Sequence, residues 1–334
     1  MSDKRPVDLK RDRGGSVDIG TEDDGAILEM YNLGGRMLVI KEKAIYELRF
    51  ADDIDPNREN PNLPPSTQKL ILPLGTTSEM FSRTFLTARR LLKTEYFTTA
   101  IDINNALSLA LEVIQELAAL DEEITDYLAA EKKASDEYEE RKNKKLDHAV
   151  PSVTDIKTRC KTIFQKVDHV SQAQIEIIRL FFPDFSKQSY YGKFLEFIEQ
   201  KHSDKVPFIE FLKGIVPFID LTRNIRNCLD HRRTETQIKD FELQQNLDIL
   251  TPTIEIEYLT SKLERAPLSS FLPAVKENLV TIFENMMAHL CSNVLKPDRI
   301  MPSRLLIIPD EKRINKFIKF AYWSALGEGG FYHQ

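Results

Sequence analysis

The sequence predicts a mainly α-helical protein, in which a helical bundle carries a small β-rich N-terminal segment and minor additional strands. Three observations lead to this prediction. Short apolar runs around a Gly34-Gly35 turn signal fill the first part of the chain, apolar residues from Ser78 onward follow helical spacing, and residues 99–146 contain neither proline nor glycine. With 334 residues, of which 42% are apolar, the chain is long enough to bury a sizeable core.

The chain divides into four predicted parts. Residues 1–24 are charged and poor in apolar side chains, which predicts a disordered tail. Residues 25–76 read as a β-rich segment, residues 77–300 as the helical domain, and residues 301–334 as an extension with one strand and one short helix. In the β-rich segment we expect strands near 26–31, 36–40, 44–50 and 69–74, with a proline-rich loop at 52–65.

The helical domain is read from its start signals and its periodicity. Ser78 marks the first helix, and a long helical arm follows at about 99–148, with a charged second half that we expect to be solvated. Asp155 can cap the next helix, and Pro217 is expected to open the helix described below. Further elements are a strand at 253–258, a long helix from Pro267, a strand at 305–308 and a short helix at 313–326.

Charge and motifs exclude several function classes. A net charge of −6 argues against a protein that coats nucleic acid non-specifically, so any RNA contact should be local. No apolar run is long enough for a membrane span, and Cys160, Cys228 and Cys291 lie far apart, so we expect a reduced, cytoplasmic protein. Phosphate-loop and dinucleotide motifs are absent, and no histidine lies in metal-type spacing. We therefore expect neither a metal nor a cofactor.

One segment differs from the rest of the chain. Residues 213–239 hold six bases and three acids, a local charge of +3 within a chain of −6. The bases are Lys213, Arg223, Arg226, Arg232, Arg233 and Lys239, and the acids are Asp220, Asp230 and Glu235. On a helix, Arg223, Asn227 and His231 would form one stripe, while Arg226 would lie about 140° from His231. The apolar residues Ile225 and Leu229 would anchor another face.

These side chains suit cleavage of a phosphodiester bond in RNA. RNA supplies its own nucleophile, the ribose 2′-hydroxyl, so a protein need only move protons and stabilise negative charge. A histidine can act as general acid or base, and a guanidinium matches the geometry of phosphate oxygens. We therefore regard Arg226, Asn227 and His231 as the candidate catalytic residues, with Arg223, Arg232 and Arg233 as candidate RNA-binding residues.

The Arg226-Asn227-Cys228-Leu229-Asp230-His231 segment resembles the R-x(4–6)-H signature of HEPN domains (higher eukaryotes and prokaryotes nucleotide-binding). The resemblance implies a HEPN-type helical bundle over about residues 78–300, with Arg226 and His231 as the catalytic pair and Asn227 in support. It also implies a metal-independent endoribonuclease of the toxin or phage-defence type, acting on RNA as a homodimer whose two motifs face each other. A partner protein that inhibits or activates the enzyme is a further expectation.

Two other interpretations remain open. The motif could be an exposed basic helix in which His231 merely caps the C-terminal end, where the helix dipole favours a positive charge. The protein would then be a non-catalytic interaction protein, or a protein in which the arginines and the histidine bind the phosphate of a nucleotide. Cleavage of RNA, or its absence, separates these interpretations from the nuclease.

Overall fold

The protein is a mixed α/β protein with 52% helix and 21% strand, the strands forming four small sheets. The structure is a computed structural model that describes residues 5–13, 17–143, 149–185, 190–246, 248–297, 303–326 and 329–334. The prediction of a mainly α-helical bundle is therefore wrong, because strands flank the helices at both ends of the chain and interrupt them before the last long helix.

The N-terminal segment is one antiparallel sheet with its strands in chain order. One face packs on the helices through Leu38, Ile40 and Ile45, each at most 1% exposed. Its strands lie close to the predicted positions, because the short apolar runs between turn signals from which they were predicted largely fall within them. They are β1 (Ile27–Leu33), β2 (Arg36–Lys41), β3 (Ile45–Phe50) and β4 (Ser66–Leu72).

Part of the predicted disordered tail has a defined place on this sheet domain. Helix α1 (Pro6–Arg11) buries Val7, and the Arg11 guanidinium lies 2.7 Å from the Asp55 carboxylate and 3.0 Å from that of Asp52. Ile19 is also buried, against Val39 and Leu48. The low apolar content of residues 1–24 concealed these contacts, because ion pairs rather than apolar area hold much of the segment.

Helices form the centre of the molecule. Short helices α2, α3 and α4 precede five longer ones, and a π-helical segment (Ser82–Leu86) joins α3 to α4. As predicted, Ser78 starts this region, and its hydroxyl accepts a hydrogen bond from the Phe81 N–H. The helices are α2 (Ala51–Ile54), α3 (Glu79–Phe81), α4 (Thr87–Leu91), α5 (Ile103–Asn143), α6 (Ile156–Phe181), α7 (Tyr191–Lys201), α8 (Val206–Asp230) and α9 (Leu268–Ser292).

The charged second half of α5 is largely exposed, as predicted, but it still makes some contacts with the rest of the protein. In its charged second half, Glu131 and Tyr138 are buried, and Lys142 lies 3.3 Å from the carboxylate of Asp248. Residues 144–148 of the predicted arm lie outside the described residues. Helix α6 follows Asp155, as predicted, but the Asp155 side chain makes no capping hydrogen bond because this residue adopts a left-handed conformation.

A second sheet lies between α8 and α9. Its strand order is β5-β8-β9. In the sequence, β6 and β7 lie between β5 and β8 and form a separate two-stranded sheet. Only β8 was predicted, because it alone alternates strictly between apolar and polar residues. The strands are β5 (Thr236–Lys239), β6 (Glu242–Leu243), β7 (Ile249–Leu250), β8 (Thr253–Tyr258) and β9 (Ser261–Pro267).

The C-terminal extension is a three-stranded sheet of β10 (Ser303–Ile307), β11 (Phe320–Leu326) and β12 (Gly329–His333). The helix predicted at 313–326 is wrong, because the aromatic residues there lie in β11 and pair across the sheet. Trp323 faces Tyr332 and lies so close to Gly330 that an added Cβ atom would meet its ring at 2.1 Å. Gly330 thus makes room for an aromatic side chain.

None of the helices in the described part of the chain is long and apolar enough to cross a membrane.

Candidate functional site

Helix α8 carries the predicted motif and is anchored by its apolar face. Pro207 lies in its first turn, and Pro217 lies inside it, so the expectation that Pro217 opens the helix is wrong. Ile225 and Cys228 are fully buried against the core, while Leu229 is partly buried. The anchoring face thus agrees with the sequence interpretation, but the helix begins eleven residues before Pro217, since Val206-Pro207 provides its start.

A buried polar contact fixes the rotation of α8 about its axis. The Asn224 amide donates a hydrogen bond of 2.9 Å to the Ser261 hydroxyl at the start of β9. A buried amide without a partner is costly, so the contact favours this one orientation. The orientation turns Arg223, Arg226 and Asn227 toward α6 and solvent.

The Arg226 guanidinium is held between two carboxylates. Its Nε atom lies 2.9 Å from Oδ2 of Asp230, and its Nη2 atom lies 3.8 Å from Oδ2 of Asp168 on α6. The Nε–H group is not aimed along the first contact, which is therefore an ion pair without hydrogen-bond geometry. Nη1 donates a hydrogen bond of 3.1 Å to the Asn227 side-chain oxygen. Arg226 and Asn227 thus form one unit, as their adjacency in the motif suggests.

Asp230, the last residue of α8, is the centre of a second set of contacts from α6. The Gln165 amide donates to its Oδ1 atom at 3.0 Å, and the Lys161 ammonium lies 3.3 Å from the same oxygen. Partial burial acts to raise the pKa of Asp230, but Lys161, Gln165 and the charge of Arg226 lower it overall. These cations also offset the unfavourable position of a carboxylate at the negative end of a helix.

The end of α8 is a Schellman motif that presents three basic residues to solvent. His231 is the C-cap residue, and its backbone N–H donates to the Asn227 carbonyl oxygen at 3.1 Å. Arg232 follows with a φ of 52°, and the Arg233 N–H donates to the Cys228 carbonyl oxygen at 2.8 Å. The left-handed residue reverses the chain, so His231, Arg232 and Arg233 are all exposed.

Arg223, Asn227 and His231 do not form the predicted stripe, because His231 lies beyond the end of the helix. The His231 imidazole makes no hydrogen bond or ion pair with another described residue, and it lines neither of the two pockets beside α8. Within one chain, Arg226 points into a pocket on the side of Asp168, whereas His231 lies beyond the helix end. This C-cap position is the one that the capping interpretation of the motif requires.

A basic groove runs from the end of α8 to α6 and β5. Its volume is about 980 Å³, and no carboxylate occurs among its described lining residues. Lys239 lies 3.9 Å from Glu255, and the Arg233 guanidinium lies 5.1 Å from the centre of the Tyr258 ring, while Lys157 and Arg232 have no ion-pair partner among the described residues. The cations that define the basic groove are Lys157, Lys161, Arg232, Arg233 and Lys239.

A smaller pocket, of about 310 Å³, lies on the other side of α8 and takes in Arg223 and Arg226. The Arg223 guanidinium stacks on the Tyr190 ring at 4.0 Å from its centre. Because Asp168 and Glu176 also line this pocket, its charge is mixed. The structure therefore separates the predicted RNA-binding residues, with Arg232 and Arg233 in the basic groove and Arg223 outside it.

Sequence reasoning missed the α6 side of the site. Lys157 and Lys161 are four residues apart on α6, a spacing that places both on one edge of an amphipathic helix. This spacing is the signal from which they could have been identified. Asp168 and Gln165, which contact the motif, carried no such signal because only the packing of α6 on α8 brings them there. No group of three or more histidine, cysteine or acidic residues suited to a metal ion occurs in the described ranges.

Comparisons with known proteins identify no relative of this chain. Neither a protein-family model, nor a characterised protein, nor a solved structure matches this chain significantly.

Proposed function

We propose that this protein is a metal-independent endoribonuclease in which His231 transfers protons while the basic groove holds the RNA strand. The observation that carries the proposal is the position of an exposed histidine at the C-terminal end of α8. The next two residues in the chain are arginines that line a groove without carboxylates. A chain with a net charge of −6 can attract a phosphate backbone only through such a local concentration of cations.

The proposed reaction needs no group other than the protein and the RNA. A histidine removes the proton of a ribose 2′-hydroxyl, and the 2′-oxygen forms a bond to the adjacent phosphorus. The bond from phosphorus to the 5′-oxygen of the next nucleotide breaks, and that oxygen receives a proton from a protonated histidine. The products are a 2′,3′-cyclic phosphate and a 5′-hydroxyl. Arginine side chains stabilise the charge that develops on the phosphate oxygens.

The proposal includes a homodimer, because one chain does not bring Arg226 to His231. Two copies with their α8 ends adjacent would supply two imidazoles, one to accept a proton and one to donate it. In each copy, Arg226 would act mainly as a positioning residue, since its ion pair with Asp230 and its hydrogen bond to Asn227 hold the end of α8 from which His231 extends.

Replacement of the histidine tests the proposal. We expect His231→Ala to lower the rate of RNA cleavage by at least about 100-fold in the presence of EDTA, because general acid–base catalysis contributes factors of this order. His169→Ala is the matched control, since His169 is also exposed, with 54% of its side chain accessible, and lies outside the proposed site. Cleavage products of a labelled RNA, separated on a denaturing gel, give the rates.

A His231→Ala protein that cuts RNA as fast as the wild type would disprove the assignment. Wild-type protein that binds RNA through the basic groove but leaves it intact would favour the non-catalytic interpretation instead. Strict dependence of cleavage on magnesium would point to a different chemistry.

A further inference from the structure

A third pocket lies apart from α8, where the N-terminal sheet, α4 and the C-terminal sheet meet. Its volume is about 580 Å³, within the range of roughly 300–1,000 Å³ that is usual for small-molecule sites. It shares no lining residue with either of the pockets beside α8. The residues used in the argument below are Glu29, Arg89, Arg90, Lys93, Tyr96 and His333.

Arg90 lines this pocket without a counter-ion. Its Nη1 atom is inaccessible to solvent and has no hydrogen-bond partner, and the guanidinium makes no ion pair with any residue in the described part of the chain. Burial lowers the pKa of Arg90 because no carboxylate compensates for the loss of water. Arg90 is half-buried, and a buried guanidinium nitrogen without a partner is costly, so this side chain lacks an anion.

The neighbouring arginines show that unpaired charge is not the rule in this part of the chain. Arg83 is enclosed by Glu79, Glu277 and Glu284, and Arg89 forms a bidentate pair with Glu29 on β1. Because Arg89 uses Glu29, that carboxylate does not neutralise Arg90. The three arginines belong to one short helical region, yet of the three only Arg90 has no carboxylate partner among the described residues.

Lys93 provides a second free cation at the same pocket. Its side chain is exposed and forms no ion pair with a described residue, and it follows Arg90 by three residues at the end of α4. Together the two residues carry a charge of +2, against one further lining carboxylate, that of Glu95, which forms no ion pair with a described residue. The Arg90 fork suits two oxygens of one phosphate or carboxylate, and the Lys93 ammonium acts as a point charge beside it.

Aromatic side chains form another part of the pocket lining, called the aromatic wall below. Tyr96 stacks on Tyr322 with ring centres 3.9 Å apart, and its edge contacts the His333 ring at 5.8 Å. The Tyr322 hydroxyl donates to the Leu91 carbonyl oxygen at 2.5 Å, and His333 shares a hydrogen bond of 2.8 Å with Ser324. These bonds fix the wall against α4 and β11. A ligand with an organic body would therefore meet a preformed surface.

We propose that this pocket binds a phosphate monoester on a small organic body, such as a nucleoside monophosphate, with Arg90 and Lys93 on the phosphate and the Tyr96 and His333 wall on the organic body. A phosphate monoester carries close to two negative charges at neutral pH, so it would offset both free cations, against which the pocket itself sets only the Glu95 carboxylate. The site is independent of the proposed nuclease activity and would still exist if that activity were absent.

Calorimetric titration of the full chain with AMP tests the proposal. We expect saturable binding, weakened by at least about tenfold in Arg90→Gln because a charge-assisted bidentate contact is lost. Arg304→Gln is the control, since Arg304 is exposed on β10 and lines none of these pockets. Adenosine should bind at least about tenfold more weakly than AMP. Ribose 5-phosphate and inorganic phosphate, titrated separately, show whether the organic body contributes.

Thermal unfolding of the unliganded variants separates a binding role from a structural one. Because Arg90 has no partner to lose, Arg90→Gln should unfold at the same temperature as the wild type or a higher one. A marked fall in that temperature would show that Arg90 supports the fold, and equal AMP binding by variant and wild type would overturn the site. Binding of inorganic phosphate as tight as that of AMP would disprove the part played by the aromatic wall.

Discussion

Arg232 is the residue at which stability and the proposed function oppose each other. A side chain with a Cβ atom is unfavourable at a φ of 52°, and the position after a helix C-cap is usually glycine. Arg232 occupies it nevertheless and lines the basic groove without an ion-pair partner among the described residues. The chain thus accepts backbone strain at a position where it presents a positive charge.

We predict that Arg232→Gly stabilises the protein by up to about 1 kcal/mol, because glycine relieves the left-handed conformation. The same substitution should weaken RNA binding, since one of five cations leaves the groove. Chemical denaturation and fluorescence anisotropy with a labelled RNA measure the two effects.

Arg58→Gly is the matched control for this substitution. Arg58 also has a positive φ, of 54°, but its guanidinium lies 2.7 Å from the carboxylates of both Asp12 and Asp52. Its replacement should therefore give no net gain in stability and leave RNA binding unchanged. A destabilised Arg232→Gly protein, or one that binds RNA as tightly as the wild type, would contradict the interpretation.

At the scale of elements, a buried ionic cluster joins three parts of the chain that are distant in sequence. Arg83 in the π-helical segment donates to both carboxylate oxygens of Glu284 on α9, at 2.8 and 3.3 Å. Lys319, just before β11, donates to Glu284 at 2.5 Å. The Glu284 side chain is fully buried, so two cations enclose one carboxylate where these elements meet.

We predict that Glu284→Ala lowers the free energy of unfolding by about 3–5 kcal/mol, because it leaves Arg83 buried without its main counter-ion. Asp136→Ala is the control, since Asp136 pairs with Lys132 on the exposed face of α5 and should cost about 0.5 kcal/mol or less. Urea denaturation followed by circular dichroism measures both. A loss below about 1 kcal/mol in Glu284→Ala would show that the cluster contributes little.

Apolar patterning predicted the elements that contain a short apolar run between turn signals, an alternating sequence, or an apolar repeat along one helix face. Strands β1 to β3 and β8 and helices α5 and α9 lie where their apolar spacing places them. It failed where partners outside the segment decide the structure. β11 contains Phe320, Tyr322 and Trp323, which suit a helix or a strand, and only pairing with β10 and β12 selects the strand.

The candidate site was predictable to a similar extent. The sequence located the motif and the exposed Arg232 and Arg233, because local charge and helical spacing belong to one segment. It did not locate Lys157 and Lys161, which reach the groove only because α6 packs beside α8. It also did not show that Asp168 and Asp230 flank Arg226, since no spacing within α8 implies a carboxylate from α6.

At the scale of the whole molecule, the central feature is a basic groove on an acidic protein. A net charge of −6 repels a polyanion from most of the surface, while five cations in one groove attract it locally. If the protein binds RNA as proposed, this distribution would direct the strand to the end of α8 and hence toward His231. The acidic remainder of the protein disfavours non-specific binding elsewhere, which suits an enzyme more than a coating protein.

The most direct measurement compares two substrates of one sequence, an all-ribose oligonucleotide and its counterpart with 2′-deoxyribose throughout, incubated with the wild-type protein and EDTA. The proposed chemistry requires the 2′-hydroxyl as nucleophile, so we predict that the ribose strand is cut to products ending in a 2′,3′-cyclic phosphate. The deoxyribose strand should bind and stay intact. Cutting of the deoxyribose strand, or an uncut ribose strand, would contradict the account.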